Sequence, residues 1–233
     1  MNKISKKIKV IAFDADDTLW VNETYFRNAE HQFAKLLAKY ETENKIHQEL
    51  FKAEIKNLKI YGYGVKGFVL SMVECALELS NYQISQKTVE AILNIGKKML
   101  EEPIELLDGV EEVLQSLKGK YKLIVATKGD LLDQERKLEK SNLLSYFHHI
   151  EVMSDKKEKD YLKLIKHLDI HPSELLMIGN SLKSDVLPLI EIGASAIHVP
   201  FHTTWVHEEV SEEEKSKSNY KTINKLKDIL NFL

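Results

Sequence analysis

The spacing of short apolar runs constrains the fold of this chain more than any other feature of its sequence. Four runs have the length and continuous apolarity of strands covered on both faces, and a fifth is weaker. The four lie at residues 8–13, 122–126, 175–178 and 196–199, and the fifth at 149–153. Helical patterns occur at 109–117, at 160–168, after Pro188 and at 223–232. Short strands separated by helices predict an α/β fold with a Rossmann-like parallel sheet core flanked by helices.

One interval between predicted strands is far longer than a crossover requires. The first strand ends near Phe13 and the second begins near Lys122, whereas a parallel crossover needs only about a dozen residues. Four helical patterns occupy the interval, at residues 25–39, 42–58, 65–79 and 86–100. We therefore expect an inserted all-helical domain over residues 21–105, while residues 1–20 and 106–233 form the α/β core.

Charge and composition argue against several classes of partner. The formal net charge is −3 and the isoelectric point is about 6.3, so no global positive field attracts nucleic acid. No stretch approaches the roughly 20 apolar residues of a membrane helix, so no membrane partner is expected. Cys75 is the only cysteine, which precludes an intramolecular disulfide and favours a cytoplasmic location. Its helical setting predicts a small core residue, and the oligomeric state stays open.

Three acids follow the first predicted strand in the segment VIAFDADDTLW. Asp14 emerges at the carboxyl end of the strand, which is where open parallel sheets bind ligands. Asp16 and Asp17 complete a cluster that repels itself unless a cation offsets it. Hard divalent cations with oxygen ligands, above all Mg²⁺, suit such a cluster. The alternative is structural, because Asp17 or Thr18 could cap a helix that runs through the next residues.

The motif DADDT resembles the first signature of the haloacid dehalogenase (HAD) superfamily of hydrolases. That superfamily has three further signatures, each near the end of a strand, and candidates occur here in the same order. Thr127 in LIVATKGD resembles the second, Lys156 in VMSDKKEKDY the third, and GNSLKSD at residues 179–185 the fourth. Four ordered matches over residues 10–200 are far more specific than one motif.

The resemblance implies a role for each of these residues. Asp14 would attack phosphorus and form an aspartyl-phosphate, while Asp16 would protonate the leaving oxygen and then activate water. Thr127 and Lys156 would bind the phosphoryl oxygens. Mg²⁺ would be held by Asp14, the backbone carbonyl of Asp16 and Asp185. The acid at Asp16 favours phosphoryl transfer, because halide displacement needs no proton for its leaving group.

Two positions in the signatures need a choice. The third-signature lysine could be Lys156, Lys157 or Lys159, and Lys156 is favoured because it lies closest to the predicted strand end. Asn180 stands where the family commonly has Asp, which removes one negative charge from the predicted magnesium site. We expect weaker metal binding as a result, with Asp185 remaining as the anionic ligand.

The predicted helical insertion resembles the cap that one subgroup of HAD enzymes carries after the first signature. Such a cap closes over the substrate, excludes water and sets specificity. Within it, three glycines interrupt the helical pattern of YGYGVKGF. This segment could present Tyr61, Tyr63 or Lys66 to the leaving group, or it could be a plain helix–helix connection. Lys66, Lys128 and Asn180 are the candidates for substrate binding.

A closing cap suits a small phosphorylated metabolite better than a phosphoprotein. The leading hypothesis is therefore a Mg²⁺-dependent phosphatase of such a metabolite. A phosphomutase of the same superfamily and a non-catalytic phospholigand-binding protein are the alternatives. A phosphoacceptor receiver domain is disfavoured, because receivers are about half this length and place the phosphorylated Asp after a later strand.

Overall fold

The structure, a computed structural model, describes residues 7–217 and 220–233 of the chain. Residues 1–6 of the predicted first core segment lie outside the described residues. Backbone contacts divide the chain into two compact units. The α/β unit takes the chain up to Glu23, Ile104–Lys128 and Gln134–Leu233, and the helical unit takes Thr24–Pro103 and Gly129–Asp133. The short segment Gly129–Asp133 is a part of the helical unit that helical periodicity did not assign to it.

Within the described residues, a six-stranded parallel sheet runs through the α/β unit, and the predicted fold class is confirmed. Its strands are β1 Val10–Phe13, β2 Lys122–Lys128, β3 His149–Met153, β4 Leu175–Gly179, β5 Ser195–His198 and β6 Lys221–Thr222. Their order is β3-β2-β1-β4-β5-β6, and neighbours are parallel. The chain builds outward from β1 on one side and then on the other. The direction of strand order therefore reverses between β1 and β4.

Alternate residues of the central strands enter two apolar layers, one on each face of the sheet. In β1, Ile11 and Phe13 join one layer while Val10 and Ala12 join the other, and none is more than 2% exposed. Burial of a Val, Leu, Ile or Phe side chain stabilises the fold by about 1.5–3 kcal/mol. Coverage on both faces explains why these strands read as continuous apolar runs.

Four helices build the helical unit. They are α1 Glu23–Leu37, α2 Glu43–Tyr61, α3 Val65–Leu79 and α4 Gln86–Glu101. They enclose a core of their own, which includes Phe33 and Met72. Cys75 is 1% exposed in this core, and burial raises the pKa of its thiol to about 12, so it is the core residue that the sequence predicted. Gly62 and Gly64, with φ of 72° and 101°, form the turn that joins α2 to α3.

Within the described part of the chain, five further α-helices follow. They are α5 Val110–Leu117, α6 Leu131–Lys140, α7 Glu158–Leu168, α8 Leu187–Glu191 and α9 Glu212–Lys217. A π-helical turn, Leu182–Val186, leads into α8. Helix α6 has no counterpart among the predicted helices, because Asp133 and Gln134 are buried with Leu138 while Leu131 and Leu132 are exposed. The positions of its apolar residues therefore do not show the helical periodicity that would predict a buried face.

The last helical prediction is wrong in type. Residues 223–232 were expected to form an α-helix, but the structure has a 3₁₀ helix at Leu226–Asn231. The buried apolar residues explain the difference, since Ile223, Leu226, Ile229 and Phe232 recur every third residue, which is the period of a 3₁₀ helix. Among the helices of the described residues, none combines the length and the apolar character that crossing a membrane requires.

Candidate active site

The predicted signature residues of the α/β unit meet at the carboxyl edge of the sheet. Asp14 follows β1 directly, Thr127 is the next-to-last residue of β2, and Lys156 lies three residues after β3. The fourth signature leaves β4 at Gly179 and ends at Asp185. Ligands of open parallel sheets bind at this edge, beside the point where strand order reverses. The loops after β1 and β4 flank that point here.

Lys156 connects the first and fourth signatures. Its Nζ donates a short hydrogen bond to Asp14 Oδ1 and a second to Asp185 Oδ1 at 2.6 Å. Asp185 Oδ2 accepts the backbone N–H of Ser181 at 3.0 Å. The three side chains of this group are nearly inaccessible to solvent. Lys157, by contrast, is 63% exposed and pairs with Asp155.

Two carboxylates share one ammonium group in this buried arrangement. Burial raises the pKa of Asp14 to about 7, Asp185 adds to the rise, and Lys156 opposes it. Burial also disfavours the charged Lys156, but the attraction of Asp14 and Asp185 prevails and raises the pKa of that ammonium. Negative charge at Asp14 is therefore incompletely compensated by the protein itself.

Close packing fixes the position of Asp185. A side chain at Gly179 would overlap the Asp185 carboxylate, because a Cβ built there meets its Oδ2, Cγ and Cβ atoms. Glycine at the end of β4 thus lets the fourth-signature acid lie directly against the strand. Tyr161, buried on α7, donates its hydroxyl to the carbonyl of Ser184 at 2.9 Å and supports the same turn.

The carboxamide of Asn180, a residue of the fourth signature, faces the residues of the first signature. With its nitrogen directed at the acids, it donates to Asp14 Oδ2 and to the backbone carbonyl of Asp16, each at 3.2 Å, and to Thr18 Oγ1 at 3.3 Å. His198 supports the loop, since its Nε2 lies 3.0 Å from the Asn180 carbonyl. A carboxylate, a carbonyl and a hydroxyl oxygen thus converge on the position that the Asn180 nitrogen occupies.

The same oxygens provide a test of whether Mg²⁺ fits. Hard cations prefer carboxylate and carbonyl oxygens, and Asp14 and Asp16 offer one of each around the Asn180 amide. Burial raises the pKa of Asp14 to about 7, and a positive charge beside its carboxylate would favour the ionised form. Asn180 could turn its own oxygen towards a cation. The residues present therefore fit a magnesium ion.

Three side chains hold the Asp16 carboxylate. Trp20 Nε1 and Lys137 Nζ donate to Oδ1 at 2.8 and 2.9 Å, and Gln134 Nε2 lies 2.9 Å from Oδ2. Lys137 is itself fixed by Asn22 Oδ1 at 2.8 Å. The Asp16 carboxylate retains 24% exposure. It is therefore oriented by the protein and still accessible.

Thr127 belongs to the same hydrogen-bonded network. Its hydroxyl is within 2.9 Å of Gln134 Nε2 and donates to the carbonyl of Lys128 at 3.1 Å. Its side chain is 1% exposed. Gln134 thus links the residue of the second signature to the second acid of the first.

Lys128 has an internal carboxylate as its partner. Its Nζ lies 2.6 Å from Glu208 Oε1 and 2.9 Å from Ser184 Oγ, and Glu208 Oε2 accepts hydroxyls from Ser181 and Ser184 at 2.5 Å. Burial alone would raise the pKa of Glu208, but Lys128 and the hydroxyls lower it to about 2. The charged sequence of residues 208–217 predicts a mobile loop or an exposed helix. Helix α9 fits that expectation, whereas the Glu208 side chain is only 12% exposed.

Asp17 caps a helix, although not the one that the sequence suggested. Its carboxylate accepts the backbone N–H groups of Asn22 and Glu23 at 2.8–3.1 Å, where α1 begins, and no helix forms immediately after Thr18. Asp17 has a φ of 60°, and burial raises its pKa to about 7. The structural alternative therefore holds for Asp17 and leaves Asp14 and Asp16 for chemistry.

Two candidates from the glycine-interrupted segment have partners inside the helical unit. Lys66 Nζ forms an ion pair with Asp130 Oδ1 at 2.8 Å, and the Tyr61 hydroxyl donates to Glu74 Oε1 at 2.7 Å. The segment itself is the connection between α2 and α3.

Several residues of the network are not evident from the sequence. Trp20 lies four residues after Asp16 and just beyond the first signature, which is a signal that could have been used. Gln134 and Lys137 lie more than 100 residues from Asp16 in the chain, on a helix with a polar buried face. Only the fold brings them to that carboxylate.

Several known proteins are similar to this chain in sequence or in fold. N-acylneuraminate-9-phosphatase of Mus musculus is 24% identical over 212 residues, which cover 86% of this chain and 83% of the relative. A haloacid dehalogenase-like family hydrolase from Xanthomonas campestris superimposes with a TM-score of 0.80 at 37% identity, covering 93% of each chain. A putative β-phosphoglucomutase from Thermotoga maritima has the same fold, with a TM-score of 0.65 at 20% identity and coverage of 96% and 97%.

A family model described as haloacid dehalogenase-like hydrolase matches residues 8–193, from the residues before β1 to the end of the turn after α8. The match spans all four segments that carry the signature residues. This chain therefore belongs to the haloacid dehalogenase-like hydrolases.

Proposed function

We propose that this chain is a Mg²⁺-dependent phosphatase that hydrolyses a small phosphorylated metabolite through an aspartyl-phosphate at Asp14. One observation carries the proposal: Lys156 bridges Asp14 and Asp185 in a buried site, while a second acid, Asp16, is oriented separately by three donors. The phosphatase relative supports the reaction class. A cytoplasmic location is part of the proposal.

In the first step, an Asp14 oxygen attacks phosphorus and the bond between phosphorus and the ester oxygen breaks. Asp16 transfers a proton to that leaving oxygen, so that a neutral alcohol departs. The covalent intermediate divides one difficult displacement into two easier ones. Since Asp16 is held by neighbouring side chains, its position does not depend on the substrate.

In the second step, Asp16 accepts a proton from water as the water oxygen bonds to phosphorus. The bond between phosphorus and Asp14 breaks, which releases inorganic phosphate and restores the Asp14 carboxylate. Asp16 returns to its protonated form for the next substrate. Protons and bonds therefore balance over the cycle without another reactant.

Charge on the phosphoryl oxygens must be stabilised in both steps. Lys156 supplies a fixed positive charge next to Asp14, and Thr127 is proposed to donate its hydroxyl. Asp14, the carbonyl of Asp16 and Asp185 would hold Mg²⁺, with Asn180 beside them. When bound, the ion neutralises charge on the phosphoryl group and on the clustered carboxylates.

We also propose that the helical unit acts as a cap that selects the substrate. The unit is inserted directly after the first signature, and Lys66 remains a candidate contact. Lys128 is a weaker candidate for direct substrate binding than the sequence suggested, because Glu208 already lies against its ammonium group.

Turnover of a panel of phosphomonoesters with excess Mg²⁺ tests the proposal. The panel should include phosphorylated sugars and sugar acids, with p-nitrophenyl phosphate as a generic substrate. We expect release of inorganic phosphate and loss of turnover in Asp14→Asn. The phosphoryl group should remain attached to the wild-type protein in acid, and should not become attached to Asp14→Asn. Isomerised sugar phosphate without free phosphate would identify a mutase, and tight binding without turnover across the panel would identify a non-catalytic protein.

A further inference from the structure

Two histidines and a glutamate form a cluster in the helical unit that contains none of the signature residues. His31 lies on α1, Glu43 is the first residue of α2, and His47 lies one turn further along α2. Glu43 Oε1 is 3.1 Å from His31 Nδ1 and 3.6 Å from His47 Nε2. All three atoms lie within 4.8 Å of one another.

These separations are close to those of a tetrahedral metal site. Nitrogen and oxygen ligands of zinc lie about 2.0–2.2 Å from the ion, so neighbouring ligand atoms are about 3.4 Å apart. The two separations that involve Glu43 Oε1 differ from this value by no more than about 0.3 Å. His31 and Glu43 are 60% and 63% exposed. Both side chains therefore have room to adjust, so that the distance between the two histidine nitrogens can also reach this value.

An outer carboxylate stands behind one of the imidazole rings. His47 directs Nε2 towards Glu43 and has its Nδ1 3.7 Å from Glu30 Oε2. Glu30 is largely buried and is fixed by Arg27 at 2.9 Å. Metal-binding histidines characteristically have a carboxylate at the ring nitrogen that does not bind the ion, which sets the tautomer and the orientation of the ring.

Ordinary ion pairing accounts for the cluster less well. The hydrogen bond from His31 lowers the pKa of Glu43, as expected for a simple pair. However, a single carboxylate oxygen faces one nitrogen of each of two imidazoles, whereas an ion pair needs only one of them. A divalent cation bound by both rings and by the carboxylate accounts for all three groups.

We propose that His31, Glu43 and His47 bind one Zn²⁺ ion, with Glu30 as an outer partner and the fourth position open to water. Two imidazoles select zinc or a similar transition metal over Mg²⁺, which prefers oxygen ligands. Because the ligands come from α1 and α2, the ion would cross-link these helices. Its expected effect is on the stability of the helical unit.

Calorimetric titration of the untagged full chain with Zn²⁺ tests the proposal, with excess Mg²⁺ present so that the candidate active site contributes equally to every titration. We expect one Zn²⁺ per chain to be lost, or bound more than tenfold more weakly, in both His31→Ala and His47→Ala. Glu30→Gln should weaken binding about tenfold, as for an outer partner. His202→Ala, a change at an exposed histidine of the α/β unit, is the matched control and should titrate as wild type.

Two further measurements make the result decisive. Hydrogen exchange should slow in α1 and α2 when Zn²⁺ is added to wild type and should not change in His31→Ala. Co²⁺ should give the visible absorption of a tetrahedral complex in wild type alone. Equal Zn²⁺ affinity in wild type and His31→Ala would overturn the proposal and leave the cluster as a surface ion pair, and His31 is exposed enough that its replacement should not unfold the chain.

Discussion

The buried Asp14 carboxylate should destabilise the metal-free protein at neutral pH, so that Asp14→Asn stabilises it. Asp14 has an ordinary pKa of 3.8 and a pKa of about 7 in the folded chain. Between these values the folded state binds more protons than the unfolded state, and the free energy of unfolding therefore falls as pH rises. The loss is absent below about pH 4 and complete above about pH 7.

The size of the effect follows from the shift. A rise of about three pKa units corresponds to about 4 kcal/mol at pH 8, since each unit is worth about 1.4 kcal/mol. Asparagine removes the charge and keeps an oxygen that can accept the Lys156 hydrogen bond. The gap between variant and wild type should then grow from near zero at pH 4 to about 4 kcal/mol at pH 8. Asp17 titrates over the same range in both proteins, so its contribution cancels in the difference.

Urea unfolding in the presence of a chelator measures this gap. Tryptophan fluorescence reports on the α/β unit, because Trp20 and Trp205 both belong to it. Asp108→Asn, a change at an exposed acid of the same unit, is the control and should follow wild type at every pH. A variant no more stable than wild type at pH 8, or a gap that does not close towards pH 4, would refute the electrostatic reasoning.

Three other substitutions test separate parts of the site. Lys137→Met should lower kcat about tenfold, with a larger loss for alkyl phosphates than for p-nitrophenyl phosphate. The reason is that a poor leaving group depends most on a well-placed Asp16. An equal loss of kcat for both substrates would contradict the role of Lys137. Gly179→Ala should displace Asp185, abolish turnover and lower the free energy of unfolding by about 1–3 kcal/mol, as thermal unfolding and phosphate release would show; unchanged turnover would be inconsistent with the packing. Asn180→Asp should tighten Mg²⁺ binding roughly tenfold in calorimetry, because added ligand charge raises affinity, and should lower the stability of the metal-free protein; unchanged Mg²⁺ affinity would count against a place for residue 180 beside the ion.

Sequence patterns predicted the strands of the sheet well because strands that are buried on both faces consist of continuous apolar runs. Strand β3 has the predicted bounds, β1, β2 and β4 differ from prediction by one or two residues at one end, and β5 is shifted by one residue. Strand β6 was missed since its two residues, Lys221 and Thr222, are polar. The 3₁₀ helix at the end of the chain was mistaken for an α-helix because both patterns bury residues spaced by three.

Some residues of the candidate site can be identified from local sequence motifs, whereas others depend on contacts between distant parts of the chain. Asp14 and Asp185 could be selected because they belong to recognisable motifs that follow strand ends. The orientation of Asp16 could not, since its partners Gln134 and Lys137 come from a helix whose buried face is polar. Glu208 was likewise interpreted as part of a charged surface segment, because sequence alone does not reveal that the Lys128 ammonium lies against it.

The choice of asparagine at position 180 bears on the balance between stability and metal affinity. A carboxylate there would add a further negative charge beside Asp14, whose pKa is already raised to about 7, with Lys156 as the nearest compensating cation. The Asn180 amide instead donates to the two oxygens that a cation would use, so it stabilises the metal-free site. On the proposed function, Mg²⁺ would have to displace this amide, which would weaken its binding relative to a site with a carboxylate at position 180. Asparagine at position 180 would then make the proposed activity more dependent on the free Mg²⁺ concentration.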